Sequence, residues 1–210
     1  MIQPPIPPEI RDVLAGEPFD FIVKSSRAVP LKKSLYVLVF GLFWLAFMSI
    51  FVAAFFGPVF MGKEVRFELN GAPTVAGPGN LDPLLIPALI IGSFVLIGLG
   101  LTGYGIYLLR AKGAWYIGTP KRLVIYKKNE TRSIDWEQFS GDIEVNGTAE
   151  KGSITLLMRT GQMVSQRSGL SRYVSDTIYI AGIQNAFQIE KILVKRIKEN
   201  DPTPPGEPGI

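Results

Sequence analysis

Two long uncharged stretches constrain this chain more than any other feature. Residues 34–61 read SLYVLVFGLFWLAFMSIFVAAFFGPVFM, with no charge between Lys33 and Lys63. Residues 84–109 read LLIPALIIGSFVLIGLGLTGYGIYLL, uncharged from Asp82 to Arg110. A helix crosses the hydrocarbon core with about 20 apolar residues. Both blocks exceed that, whereas core helices of soluble proteins are shorter and amphipathic. The spans are therefore expected at 34–61 and 84–110, the first of them tilted. Pro87 falls near a helix start, where a missing N–H costs little. Tyr104 and Tyr107 fall near the far end, as in an interfacial aromatic belt. Neither block reads as a cleaved signal peptide. The first begins too far into the chain, is too long, and no small-residue cleavage site follows it.

Charge placement predicts the orientation. Lys24, Arg27, Lys32 and Lys33 precede the first span, and Arg110, Lys112, Lys121 and Arg122 follow the second. The connecting loop, residues 62–83, carries Lys63 and Arg66 against Glu64, Glu68 and Asp82. The expectation is a multi-pass protein with residues 1–33 and the C-terminal region in the cytoplasm and the loop outside. Ser49, Ala53 and Gly57 form one stripe of small residues, Ala88 with Gly92 a second, and Gly98 with Thr102 a third. Such stripes let helices pack closely, either within one chain or between two copies. Neither span contains Asp, Glu, Lys or Arg, which argues against a pump or coupled transporter. The spans read as an anchor.

The 210 residues contain no cysteine and no histidine. Disulfides, Cys/His zinc sites, Ser-His-Asp triads, cysteine nucleophiles and histidine pH switches are all excluded. No cofactor is expected. The formal charge of +4 is weak as a nucleic-acid signal, because membrane proteins carry Lys and Arg for topological reasons. No nucleic-acid partner is expected.

The flanks carry local signals. A short helix is predicted from Glu9 to Leu14, stopped by Gly16, with an extended segment through Phe19, Phe21 and Val23. In the loop, Val65, Phe67 and Leu69 alternate and Asn70-Gly71 is a turn dipeptide, so a β-hairpin is expected. It reads either as a folded connector or as a sensing element. Residues 201–210, rich in proline and glycine, are expected to be disordered.

After Lys112 short alternating segments begin. Strands are predicted at 114–117, 122–126, 131–136, 142–145, 153–158, 162–166 and 177–180, with Asn146-Gly147 and Thr160-Gly161 as turns. Asn185 reads as a helix N-cap with Gln188 in capping-box position. The helix runs to about Glu199. Ile183, Ala186, Phe187, Leu193, Val194 and Ile197 share one face, and Lys191, Lys195 and Lys198 another.

Tyr116-Ile117-Gly118-Thr119-Pro120-Lys121-Arg122-Leu123-Val124-Ile125-Tyr126 resembles the first hairpin of bacterial pleckstrin-homology-like domains. Arg132-Ser133-Ile134-Asp135-Trp136 resembles the strand that follows. Gly182-Ile183, leading from the last strand into the helix, is similar to the family's closing segment. The resemblance spans residues 113–200. It implies a bent β-barrel capped by one helix, beside a two-helix membrane hairpin, in a bacterial plasma membrane. It brings no mechanism.

Lys121, Arg122, Lys127, Lys128 and Arg132 cluster on the first hairpin. They read either as contacts for anionic lipid head groups or a protein partner, or as a solvated face under positive-inside bias. Trp115, Tyr116, Tyr126, Trp136, Phe139, Tyr173 and Tyr179 read as core rather than pocket. Asp142 and Glu144 share a strand face that is expected to be solvated. The leading functional expectation is a non-enzymatic, membrane-anchored binding or scaffold module that docks on a protein, the inner leaflet or its own oligomeric neighbours. The alternative is an accessory or sensing subunit acting through its spans and external hairpin, and a carboxylate-based enzyme ranks last.

Overall fold

A computed structural model describes residues 8–14, 16–69, 71–148, 151–165 and 171–202. The chain forms two compact units, Met1–Leu31 with Arg110–Ile210, and Lys32–Leu109.

The second unit is built on two helices, α2 (Leu31–Phe60) and α3 (Leu85–Arg110), both long and apolar enough to cross a membrane. Between them lie β2 (Val65–Leu69), β3 (Ala72–Ala76) and a 3-10 turn at Asp82–Leu84. The expected hairpin is present, although Asn70 of its turn lies outside the described residues. Phe67 of β2 meets Phe55 of α2 edge-on, with ring centroids 5.7 Å apart.

The helices meet along a seven-residue repeat. Ser34, Gly41 and Met48 are the buried residues of α2, and Ile91, Gly98 and Gly105 those of α3. A seven-residue repeat keeps one stripe facing a partner helix. Glycine is required here because the backbones nearly touch. A Cβ on Gly105 would lie 2.7 Å from the Cα of Leu38, and one on Gly41 2.7 Å from the amide nitrogen of Thr102. Beside Gly98 the Trp44 indole donates to the carbonyl of Phe94 at 2.9 Å. The expected stripes divide. Gly98 and Thr102 belong to the seam, but Ser49 and Ala53 lie exposed, outside it.

The other unit contains α1 (Pro8–Leu14) and β1 (Phe21–Lys24) from before the helical hairpin. After it come β4 (Trp115–Gly118), β5 (Arg122–Lys127), β6 (Glu130–Asp135), β7 (Phe139–Gly147), β8 (Gly152–Ser165), β9 (Ser171–Ile183) and α4 (Ala186–Glu199). One antiparallel sheet has the order β1-β4-β5-β6 and the other β7-β8-β9. The stretch 113–200 therefore lacks an edge strand of its own sheet. β1 supplies it, through the register Phe21↔Gly118 to Lys24↔Trp115.

The expected closed barrel is corrected to two separate sheets. Between β6 and β7 a 3-10 turn, Trp136–Gln138, breaks the ladder. At the opposite edge the segment that follows β1 meets β9 through an isolated bridge, Arg27↔Ala181. Buried Ser25 reinforces that bridge: its hydroxyl lies 2.6 Å from the carbonyls of Arg27 and Ala181 and accepts the Ala181 N–H at 2.9 Å.

A core of Tyr116, Leu123, Ile134, Trp136, Phe139, Ile154, Leu156 and Ile180 fills the space between the sheets, and α4 adds Ala186, Ile189, Leu193 and Ile197. α4 packs chiefly on β7 and β8. The outer face of the first sheet has its own apolar cover, because Ile10 and Leu14 of α1 lie on Ile117 and Val124. That double burial explains the near-continuous apolar run Leu123-Val124-Ile125.

Other expectations shift locally. The strands predicted at 153–158 and 162–166 are one strand, β8; Thr160-Gly161 falls at a bulge rather than a turn, and Gln166 lies outside the described residues. The strand predicted at 177–180 starts earlier, at Ser171. Asn185 precedes α4 but caps it without its side chain, being left-handed at φ 53°, and the Gln188 N–H bonds its carbonyl instead. Phe187 is exposed rather than on the buried face, where Ile189 stands instead. Residues 203–210 of the expected tail lie outside the described residues.

Candidate functional site

The five candidate cations do not form one patch. They occupy both ends of a strand pair, and chain geometry separates them. Arg122 opens β5 and Lys127 closes it, five residues on, which is about 16 Å at the usual rise of a strand. That exceeds the screening distance of roughly 8 Å at physiological salt.

At the first end Lys121 and Arg122 sit on a turn locked from several directions. Fully buried Thr119 holds its Oγ1 3.4 Å from the Lys121 N–H and 3.2 Å from the Arg122 N–H. The Trp136 indole donates to the Thr119 carbonyl at 2.8 Å, and the Asn200 amide to the Pro120 carbonyl at 3.3 Å. Arg122 stands across the ladder from Asp135 and donates to Glu17 through Nε at 3.3 Å and Nη2 at 2.9 Å. Burial pushes the Glu17 carboxyl up. Hydrogen bonds from Thr119 and Arg122 and the charges of Arg122 and Lys121 outweigh it, so Glu17 lies below its ordinary value. With Pro18 and Pro120 these groups line an open depression. Its two cations face two carboxylates, so it has no net charge to draw an ion.

At the other end, Lys128 and Asn129 make the two-residue turn between β5 and β6, with φ of 50° and 66°. Both residues are left-handed, as a type I′ hairpin requires. The Tyr126 hydroxyl donates to Asn129 Oδ1 at 3.1 Å. Lys127, Lys128 and Arg132 are all exposed, and the one carboxylate among them is Glu130, opposite Lys127. This tip retains net positive charge. The ladder rows Lys24↔Trp115, Trp115↔Tyr126 and Tyr126↔Thr131 place it at the end of the sheet where β1 ends and β4 begins. Lys24 extends that surface, its ammonium 5.3 Å from the centre of the Trp115 ring. Sequence reading missed Lys24, because its partner strand lies beyond the entire helical hairpin.

The aromatic set divides. Tyr116, Trp136 and Phe139 are core, while Tyr173 is exposed. Tyr116 donates its O–H to the Tyr179 carbonyl at 2.8 Å, and burial pushes its pKa up to about 12. Asp142 and Glu144 are exposed and engaged locally, with Ser140 and Asn146 respectively. Arg196 of α4 clamps Asp20 through two bonds of 2.8 and 2.6 Å. Those bonds, together with Glu199, hold its pKa above the ordinary arginine value. Among the described residues no group of carboxylates is arranged to hold a metal ion.

No protein family, no curated protein and no solved structure matches this chain.

Proposed function

We propose that this protein is a membrane-anchored, non-catalytic docking module. Its two apolar helices cross a bacterial plasma membrane, and its sheet unit lies in the cytoplasm as a pleckstrin-homology-like domain. Support for that kinship comes from the hairpin motif around Thr119, the four-plus-three strand order and the closing helix. Fold alone assigns no role. The observation that carries the docking role is the exposed cationic tip of Lys127 and Lys128, with exposed Arg132 beside it on β6. Such a tip suits anionic head groups or an acidic protein surface. Each cation near an anionic leaflet contributes about 1 kcal/mol.

Lys121 and Arg122 drop out of this surface because Glu17 and Asp135 face them. A photocrosslinker at Lys128→Cys, in the full chain in native membranes, tests the proposal. Adducts with anionic lipid or with one defined protein are expected, and they should vanish with Lys127→Glu and Arg132→Glu. Unchanged adducts in that variant, or none in either, would refute it. A second reading, a sensing subunit acting through the loop hairpin, draws on the Phe55–Phe67 contact that ties the hairpin to a helix.

A further inference from the structure

The β8–β9 hairpin outgrows the sheet that carries it. β7 accompanies β8 only from Gly152 to Met158. Beyond a bulge between Leu157 and Gly161, β8 and β9 continue alone as a two-stranded ribbon, from Gly161↔Ser175 to Ser165↔Ser171. A bulge bends its strand and sharpens the twist, which turns the ribbon away from the sheet. A bare two-stranded ribbon is marginal in water, and among the described residues both edges of this one are unpaired.

Each face carries two exposed apolar side chains among polar ones, Val164 opposite Arg172 and Val174 opposite Gln162. Met163 pairs with Tyr173 on one face, at 66% and 49% exposure. On the other lie Val164 and Val174, at 48% and 49%. The Tyr173 ring leans over Gly161, and its hydroxyl donates to the Arg159 carbonyl at 2.6 Å, which stiffens the root of the ribbon. The ribbon's charges are cationic, Arg167 and Arg172, and the nearest acid, Asp176 at its root, accepts a hydrogen bond from Thr160 at 3.0 Å.

We propose that this ribbon dips into the head-group layer of an anionic bilayer, an inference that rests on the membrane-anchored reading above. A protein surface covers one face of a ribbon and leaves the other wet, whereas a fluid interface covers both. Two copies of the ribbon would bring like charges together at Arg172, while Asp176 stays at the root beside Thr160. The five described residues from Gly161 to Ser165 span about 15 Å, enough to cross the 5–10 Å boundary used by interfacial segments. The unpaired backbone edges forbid deeper entry, because hydrocarbon satisfies no N–H or C=O.

The chain has no cysteine, so single labels report cleanly. The full protein is reconstituted in nanodiscs with an environment-sensitive fluorophore at Met163→Cys or Val174→Cys, and lipid-borne quenchers are added. Labels at Ser49→Cys on α2 and at Gln184→Cys, exposed on the sheet unit, serve as references. In discs with anionic lipid, positions 163 and 174 should be quenched and 184 should not. Arg172→Glu should cut the quenched fraction about fivefold or more, and high salt should weaken it. If Ser49 is quenched but 163 and 174 are not, the ribbon inference fails and the anchor stands. If Ser49 is not quenched, both fail. Equal quenching in neutral discs, or energy transfer between copies without lipid quenching, also overturns the inference.

Discussion

At the scale of single residues, Trp136 is the most informative side chain. It is fully buried and holds the turn bearing Lys121 twice, its indole bonding the Thr119 carbonyl and its backbone N–H the Lys121 carbonyl. Trp136→Phe keeps most of the volume but leaves that carbonyl short of a partner. A loss of about 1–3 kcal/mol is expected in denaturant titrations of the detergent-solubilised protein. Tyr116 gives a signed pH effect. Its folded pKa is about 12, above the unfolded value near 10. Its contribution is complete below pH 10 and lost as pH rises toward 12. Tyr116→Phe should therefore flatten the alkaline fall in melting temperature, and an unchanged slope would contradict this. The core placement of these residues was legible from their aromatic type. Their hydrogen bonds were not, because Thr119 and Tyr179 are assigned to Trp136 and Tyr116 by tertiary packing.

At the scale of elements, the helix pair depends on glycine. Gly105→Leu would drive a side chain into the backbone at Leu38. A cost of about 1–3 kcal/mol is expected, read as a lower melting temperature in micelles. Gly57→Leu, where nothing lies within 4 Å, is the silent control. The existence of both helices was plain from their uncharged length, but the seam was not. Small residues recur on several faces, and only the close approaches at Gly41, Gly98 and Gly105 pick one out. Among the strands, the Thr160-Gly161 pair misled because a turn dipeptide can equally mark a bulge inside a continuing strand. Barrel closure was misjudged for a related reason. Alternation finds strands but not which edges pair, and here one seam is broken at Trp136–Gln138 while the other holds an isolated bridge.

At the scale of the whole molecule, the sheet unit is discontinuous: the chain lays down β1, makes the helical hairpin, and returns to pair β4 with β1. The run Phe19, Phe21, Val23 announced an extended segment, but its partner lay beyond both apolar helices, where no local pattern reaches. Residues 113–200 expressed alone should fail to fold, because they lack Phe21 and Val23 of the core. Residues 8–28 joined to 111–202 by a short glycine linker should fold cooperatively, since Ala28 N–H already bonds the Ala111 carbonyl at 3.0 Å. Circular dichroism melts of the two fragments decide between them. Equal cooperativity would mean that β1 is dispensable. The account as a whole turns on whether the two helices span a membrane with the sheet unit and the loop on opposite sides. Cysteine labelling with an impermeant maleimide on intact bacterial cells measures that directly, using Gly79→Cys in the loop and Lys128→Cys at the cationic tip. Labelling of position 79 in intact cells, and of position 128 only after permeabilisation, is the predicted result. Labelling of both positions in intact cells, or of position 128 alone, would contradict it.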